Sequence, residues 1–416
     1  MGAGGLSLLL PSAAAASVEG WLLPALSILA LVFAIAMAGD WRSLGGGLAV
    51  LGLALVVGWI KAAGSASSNR HLGAACLGLL LMVLVGKLVD TPVRLRAALL
   101  LTLGGGLLML LLALGATDLP ASGISQMLVA SGLPPISLGL PGLDSTGRVN
   151  PNALAVAALL VTPIGAAVLL LGTGDRRDAF TLRPLGLAVV MFGALALAVS
   201  HSRSAALAIW VTLVVLLARI NNWVARLVVA TLVVALPAMA AGVSLANTHD
   251  DFHLQADEVW QTVYHRARIF RAGVKLLEPS RWFGIGLNEF RHQYQPEPQD
   301  VLPEPLPHVH NTVLQTALDI GLVGLAAYGY VIWLILVTAN RVARDSGNLC
   351  RSAAVGGAFS IVAASLFGLA DALAIGAKVG MLQWLAAGLI LAAWRSQSCP
   401  DPLSQRTMTA AVPMHG

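Results

Sequence analysis

The chain has 416 residues, of which 57% are hydrophobic and only 11% charged, with a mean hydropathy of +0.81. A surface of that composition excludes an ordinary water-soluble domain and implies an integral membrane protein. The net charge of +5 and pI of about 9.4 come almost wholly from arginine, since Lys61, Lys87, Lys275 and Lys378 are the only lysines, and this is compatible with an anionic lipid or phosphate partner.

Leu6 to Leu10, followed by Pro11 and an alanine run, is too short to span alone and has no basic residue ahead of it, so it reads as mature sequence rather than a signal peptide. Apolar runs of spanning length follow at 22–38, 44–60, 72–89, 97–115, 153–171, 182–199, 205–218 and 224–246, then at 313–337, 353–370 and 379–394, eleven in all. A twelfth is either the N-terminal piece or 119–143. In the latter Pro120, Pro134, Pro135 and Pro141 predict a broken or re-entrant element lining a polar cavity. The expected architecture is all-α and polytopic, with about twelve spans. Residues 1–246 hold the N-terminal spans, 247–311 one large loop, 312–394 the C-terminal spans and 395–416 a cytoplasmic tail.

Basic residues orient the second half. With the large loop outside, the inner connections carry Arg176, Arg177, Arg183, Arg219, Arg226, Arg341, Arg344, Arg351, Arg395 and Arg406, against only Arg148, Arg203 and Lys378 in the short outer ones. Positive charge concentrates inside, so the loop faces away from the cytoplasm. In that frame Cys350 and Cys399 are cytoplasmic and Cys76 lies in an apolar run, so no disulfide is expected. Lys87 is the main candidate for a charge at mid-span.

Arg203 opens a span in SHSRSAALAIW with no acid near it in sequence, and a cation at a helix start opposes the helix dipole. An anionic partner is expected there. Within the loop, 256–277 has helical periodicity, with Val259, Val263, Ala267, Phe270, Val274 and Leu277 on one stripe. At about 100° per residue Arg268 projects about 180° from Val259, and Arg271 and Lys275 lie near 120° and 160°, on the polar face; Arg266 lies at about −20°, on the apolar side. Arg266 is therefore the cation turned toward whatever the helix covers. GIGLNEF, Gly284 to Phe290, reads as a tight turn that docks the loop onto the bundle.

The loop ends in PHVHNTVLQTALDIGLVGL. His308 and His310 stand in an extended lead-in and Asn311 is placed to cap the following helix. A histidine there is a candidate general base for a hydroxyl. His249, Asp250, Asp251, His253 and Asp257 match no metal-ligand spacing, so no metal and no cofactor is expected.

HSRSAALA, then YHRARIFRAGVKLL followed by GIGLNEF, then HVHNTVLQTALDIGLVGL resemble, in that order, the signature of the O-antigen ligase and polymerase superfamily. RVNPNALAVAALL, with Arg148, Asn150 and Asn152, is similar to the family's Asn-Pro-Asn start of a span. The chain departs from the family in having Phe270 where tryptophan is usual, and in inserting Arg281 and Trp282 ahead of the Gly-x-Gly turn. The resemblance implies a glycosyltransferase of the C-type (GT-C) membrane architecture in the bacterial inner membrane. It would work on the periplasmic side, moving an oligosaccharide from undecaprenyl diphosphate to a hydroxyl. By motif match it implies Arg203 and Arg266 as diphosphate ligands and His310 as the catalytic residue, with His308, Asn311, Arg148, Asn150 and Asn152 as possible supporting residues.

The chain is most similar to members that join undecaprenyl-diphosphate-linked O-antigen to lipid A-core. Polymerases of repeat units and protein O-oligosaccharyltransferases are the alternatives within the family. A lipid-linked sugar transporter or flippase is the non-enzyme alternative, disfavoured by the lack of a clear internal repeat. Expected partners are donor, acceptor and membrane lipid, and no nucleic acid.

Overall fold

The computed structural model describes residues 12–116, 150–172, 180–200, 202–217, 230, 252–294 and 308–398. Every regular element among them is a helix: α1 (Ser12–Met37), α2 (Arg42–Lys61), α3 (Ala66–Leu88), α4 (Pro92–Ala116), α5 (Pro151–Leu171), α6 (Leu182–Ser200), α7 (Arg203–Leu217), α8 (Phe252–Leu277), the short α9 (Phe290–Gln293), α10 (Thr312–Asp345), α11 (Asn348–Phe367) and α12 (Met381–Ser398), with 3₁₀ turns at Ala38–Asp40 and Glu278–Ser280. Ten of the eleven expected spans fall on these helices. Among the described residues seven, α2 to α6, α10 and α11, are long and apolar enough to cross a bilayer, while α1 and α7 hold shorter apolar stretches at Leu22–Met37 and Arg203–Val215. The 224–246 run apart from Ala230, the 119–143 segment, Arg148, His249 to Asp251 and Cys399 lie outside the described residues.

The chain forms two compact units. The second draws on Gly78–Ser200, Ile332–Ile361 and Leu382–Gly416. At its centre α5 is buried along nearly all its length, from Leu154 to Val168. Small residues let the backbones close on it: a side chain at Gly186 would meet the Gly165 carbonyl oxygen at 3.0 Å, and one at Gly356 would meet the Ile164 backbone at 2.7 Å. Between apolar helices in lipid, such close van der Waals approach is what drives association. Asn150, capping α5 by accepting from the Asn152 amide at 2.8 Å, belongs to this unit.

The first unit draws on Met1–Leu77, His201–Val331 and Val362–Met381, and it holds the motifs. Here the expected unbroken span at 313–337 is longer and broken. Gly321 adopts φ 74° and ψ 178° inside α10, which only glycine accommodates without strain. Such a break frees backbone groups that apolar surroundings cannot satisfy. Segment 281–285 satisfies them: Leu322 N donates to Arg281 O at 2.8 Å, Val323 N to Trp282 O at 3.3 Å, and Ile285 N to Leu318 O at 2.7 Å. The inserted Arg281 and Trp282 thus supply the carbonyls that replace two helix bonds. On its other flank the turn is held by α2, where Leu287 N donates to Gly58 O at 3.0 Å and Lys61 Nζ donates to Gly284 O. GIGLNEF docks onto the helices as its glycines predict, because a side chain at Gly284 would run into Leu318 O.

Lys87, expected at mid-span, sits in the last turn of α3. Among the described residues the fully buried acid within a span helix is Asp319 of α10, 1% exposed.

Candidate active site

The residues around His310 are built by helix capping. The Asn311 side chain accepts from Leu314 N at 2.9 Å, an N-cap bond that starts α10, and its own amide donates to Leu369 O at 2.9 Å. Thr312 ties the same point to the α11–α12 connection: its N donates to Gly368 O at 2.6 Å and its Oγ1 accepts from Leu373 N at 2.7 Å. These bonds bring residues about sixty positions apart into one cluster.

The result for His310 differs from the extended lead-in expected. His310 has φ 52°, in the left-handed region. A non-glycine residue held there costs about 1–3 kcal/mol and persists only where its surroundings over-determine it, a condition concentrated at functional sites. In this conformation the imidazole meets Asp371. His310 Nδ1 lies 3.0 Å from Asp371 Oδ1, with the side chains 25% and 5% exposed.

The protonation of Asp371 follows from its surroundings. Burial raises the Asp371 carboxyl, but the hydrogen bond and charge of His310, the charge of His308 and the Ala372 amide outweigh it and hold the group below its ordinary value. A carboxylate only accepts, so His310 Nδ1 donates, and in the neutral imidazole the lone pair is then on Nε2. That is the tautomer a general base needs. His308 packs edge-on against His310, ring centroids 4.4 Å apart, and its Nδ1 accepts from His310 N at 3.4 Å. Burial, with His310 pushing the same way and Asp371 opposing, lowers the His308 imidazole to about 4.

A pH dependence follows. His308 ordinarily titrates at 6.5 and in the fold at about 4, so between those values the unfolded chain binds the extra proton. Native stability is therefore expected to fall as pH drops below about 6.5 and to stop falling from this source near pH 4, with a slope of at most about 1.4 kcal/mol per pH unit. Asp371, depressed, adds a loss only at lower pH as it protonates. Thermal unfolding in detergent from about pH 7 to about pH 4.5 checks this against His308→Ala, which should flatten the slope. An unflattened slope would mean that His308 is not held neutral.

Asp371 was not anticipated from sequence. The available signal was its isolation: it is the only acid between Asp345 and Asp401, in an apolar stretch. Among the described residues one donor atom each of His308, His310 and Asp371 falls within 4.8 Å of the others, so these three could hold a metal ion.

Helix α8 begins earlier than expected, at Phe252, and packs on this cluster by a different stripe. Ile269 and Gly273 are buried, and Phe270, Leu276 and Leu277 join Ile285, Phe290, Val309 and Leu318 in one apolar core. Val274 is 48% exposed and Ala267 is exposed too, so the buried side is turned by about 70° from the stripe read from periodicity. In a membrane protein an apolar residue need not face the core. Arg266 lies one turn before Ile269 and Phe270 on the buried side and is partly buried, whereas Arg271 and Lys275 are exposed. Gly273 lies directly against Val309, the residue between the two histidines, a contact that a Cβ would make at 2.9 Å. Arg203 starts α7 in the same unit with its side chain exposed. A groove of about 750 Å³ in this unit, lined by Val50, Trp282, Leu322, Val323, Ala326 and Tyr330, does not include the histidines.

A family model described as O-antigen ligase matches residues 186–329, which contain Arg203, α8, the docking turn and the His308–Asn311 start of α10. That match, over about a third of the chain, supports membership of the O-antigen ligase/polymerase superfamily. Members are glycosyltransferase-like enzymes. No curated protein matches the chain. Asp371 lies beyond the matched region and is brought to it by the connection between α11 and α12.

Proposed function

We propose that this member of the superfamily is an O-antigen ligase, transferring O-antigen from undecaprenyl diphosphate to a sugar hydroxyl of lipid A-core on the periplasmic face of the bacterial inner membrane. The observation that carries the catalytic part is the His310–Asp371 pair, with its 3.0 Å bond and left-handed His310. His310 Nε2 takes the proton of the acceptor hydroxyl as its oxygen attacks the anomeric carbon of the donor. The bond from that carbon to the diphosphate breaks, and undecaprenyl diphosphate leaves. Asp371 stabilises the imidazolium that forms, the role such a carboxylate plays beside a histidine base. Arg203 and Arg266 bind the diphosphate and neutralise the charge that builds on it, so attack comes from the opposite face and inverts the anomeric centre.

The test is transfer by purified protein from an undecaprenyl-diphosphate-linked oligosaccharide to lipid A-core. Product on lipid A-core supports the ligase; elongation of the donor instead, with lipid A-core untouched, would make the protein a polymerase.

Transfer is expected to persist in EDTA, because two arginines can stabilise the leaving diphosphate as a divalent ion otherwise would. Loss of activity on chelation, restored by Mg²⁺, Mn²⁺ or Zn²⁺, would instead assign a metal to His308, His310 and Asp371.

A further inference from the structure

Resting on the reading of His310 as the base, we propose that Gln315 and Asp319 of α10 are positioning residues that hold the His310 backbone in its left-handed conformation and couple it to the docking turn. Both side chains are 1% exposed. Gln315 Oε1 accepts from Val309 N at 3.1 Å, immediately ahead of His310. Gln315 Nε2 donates to Asp319 Oδ1 at 2.9 Å. Asp319 Oδ1 also accepts from Asn288 N at 3.0 Å, in the turn that fills the helix break.

Chemistry fixes the direction of this chain. The Asp319 carboxylate, when ionised, only accepts, so it forces the amide end of Gln315 toward itself and leaves the carbonyl end facing Val309. Gln315 in the opposite orientation would set two donors against each other at Val309 and two acceptors at Asp319. A buried pair of that kind is costly, and fully satisfied it specifies a single arrangement.

What the chain holds is unusual backbone. The non-glycine residues with positive φ among those described are Ala63, Asn288 and His310, and the network ends at the last two: Asn288, φ 58°, and His310, φ 52°. Asn288 is held further by its amide to Ser67 Oγ. His310 is clamped from both sides, by Gln315 through Val309 and by Gly368 O through Thr312 N at 2.6 Å. Asp319 and Gln315 stand one helical turn apart on α10, so the turn and the base hang on the same rigid element. Close packing adds to this: a Cβ at Gly58 of α2 would lie 2.5 Å from the Asp319 carbonyl oxygen, so α10 cannot retreat from α2 without losing the contact.

The role differs from catalysis and from general stability, and three variants separate these. Gln315→Met keeps length and removes both bonds, and a base displaced by about 1 Å loses on the order of 10²-fold in rate. In nanodiscs it should lower kcat by that order while leaving KM for the lipid-linked donor within about threefold, since donor binding is assigned to other residues. Asp319→Asn retains an oxygen where Oδ1 accepts both donors and should keep most of kcat, whereas Asp319→Ala should resemble Gln315→Met. Hydrogen exchange of peptides spanning 308–312 should rise in Gln315→Met and stay near wild type in Asp319→Asn, with the other spans unchanged in both.

Wild-type kcat in Gln315→Met overturns the proposal. So does a folded Asp319→Asn without transfer, because charge and not the two accepted bonds would then be what matters. If His310→Ala itself transfers normally, the reading of the base fails, and the exchange measurement still decides whether Gln315 and Asp319 hold this segment.

Discussion

Purified His310→Ala is expected to lose transfer by about 10²–10⁴-fold, the usual cost of removing a general base, while still binding the lipid-linked donor. A sugar hydroxyl is a poor nucleophile near neutral pH and undecaprenyl diphosphate is a good leaving group, so the step most in need of help is removal of the acceptor proton. His310 can give that help because Asp371, 3.0 Å away, accepts the Nδ1–H hydrogen bond and so keeps the neutral ring's lone pair on Nε2, and because a quarter of its side chain stays exposed. Asp371→Ala should also lose activity, since it leaves the ring without its orienting acceptor. Asp371→Asn, which still offers an oxygen, should retain more. His308→Ala should keep a substantial part: His308 accepts only a long 3.4 Å bond from His310 N and packs against its ring. Near-normal transfer by His310→Ala, or a product that keeps the donor's anomeric configuration, would rule the mechanism out.

The second large effect is expected at the arginines. Arg203→Ala and Arg266→Ala should each reduce transfer on the order of 10²-fold, comparable to deleting one donor that stabilises developing negative charge. Arg266→Lys should restore only part, because an ammonium cannot make the paired bonds that a guanidinium makes to phosphate. The controls lie on the same helix. Arg271 is exposed on the side of α8 away from the Ile269–Gly273 contact, and Arg268, partly buried like Arg266, projects from that far side by helical geometry, so their alanine variants should do much less. Kinetics with varied lipid-linked donor, on protein verified as folded in the membrane fraction, check this. Equal losses at Arg266 and Arg268 would mean that α8 does not present Arg266 to the donor.

Hydropathy made most of the spans legible because it is a local property. A run of about twenty apolar residues is a helix in lipid whatever its neighbours are, since its backbone must be satisfied within the segment. Capping is equally local, and Asn311 starts α10 as its position predicts. The order of the arginine, histidine and glycine motifs pointed to the family that the match over residues 186–329 supports.

Tertiary structure decided what depends on distant partners. Asp371 reaches His310 across 61 positions, and a lone acid between two spans carries no mark of the histidine it will meet. Periodicity found α8 and its polar face but misjudged the buried stripe by about 70°, because next to a bilayer an apolar side such as Val274 can stay exposed while Gly273, which has no side chain to count, makes the closest contact. Gly321 reads in sequence as one more small residue of a span. That it breaks α10 is set by carbonyls from Arg281 and Trp282, which make the break satisfiable. Hydrophobicity and capping chemistry are written into each segment and survive in isolation. The left-handed turn of His310 is held by Gln315, Gly368 and Asp371 together, and such a conformation exists only once those partners have been brought to it.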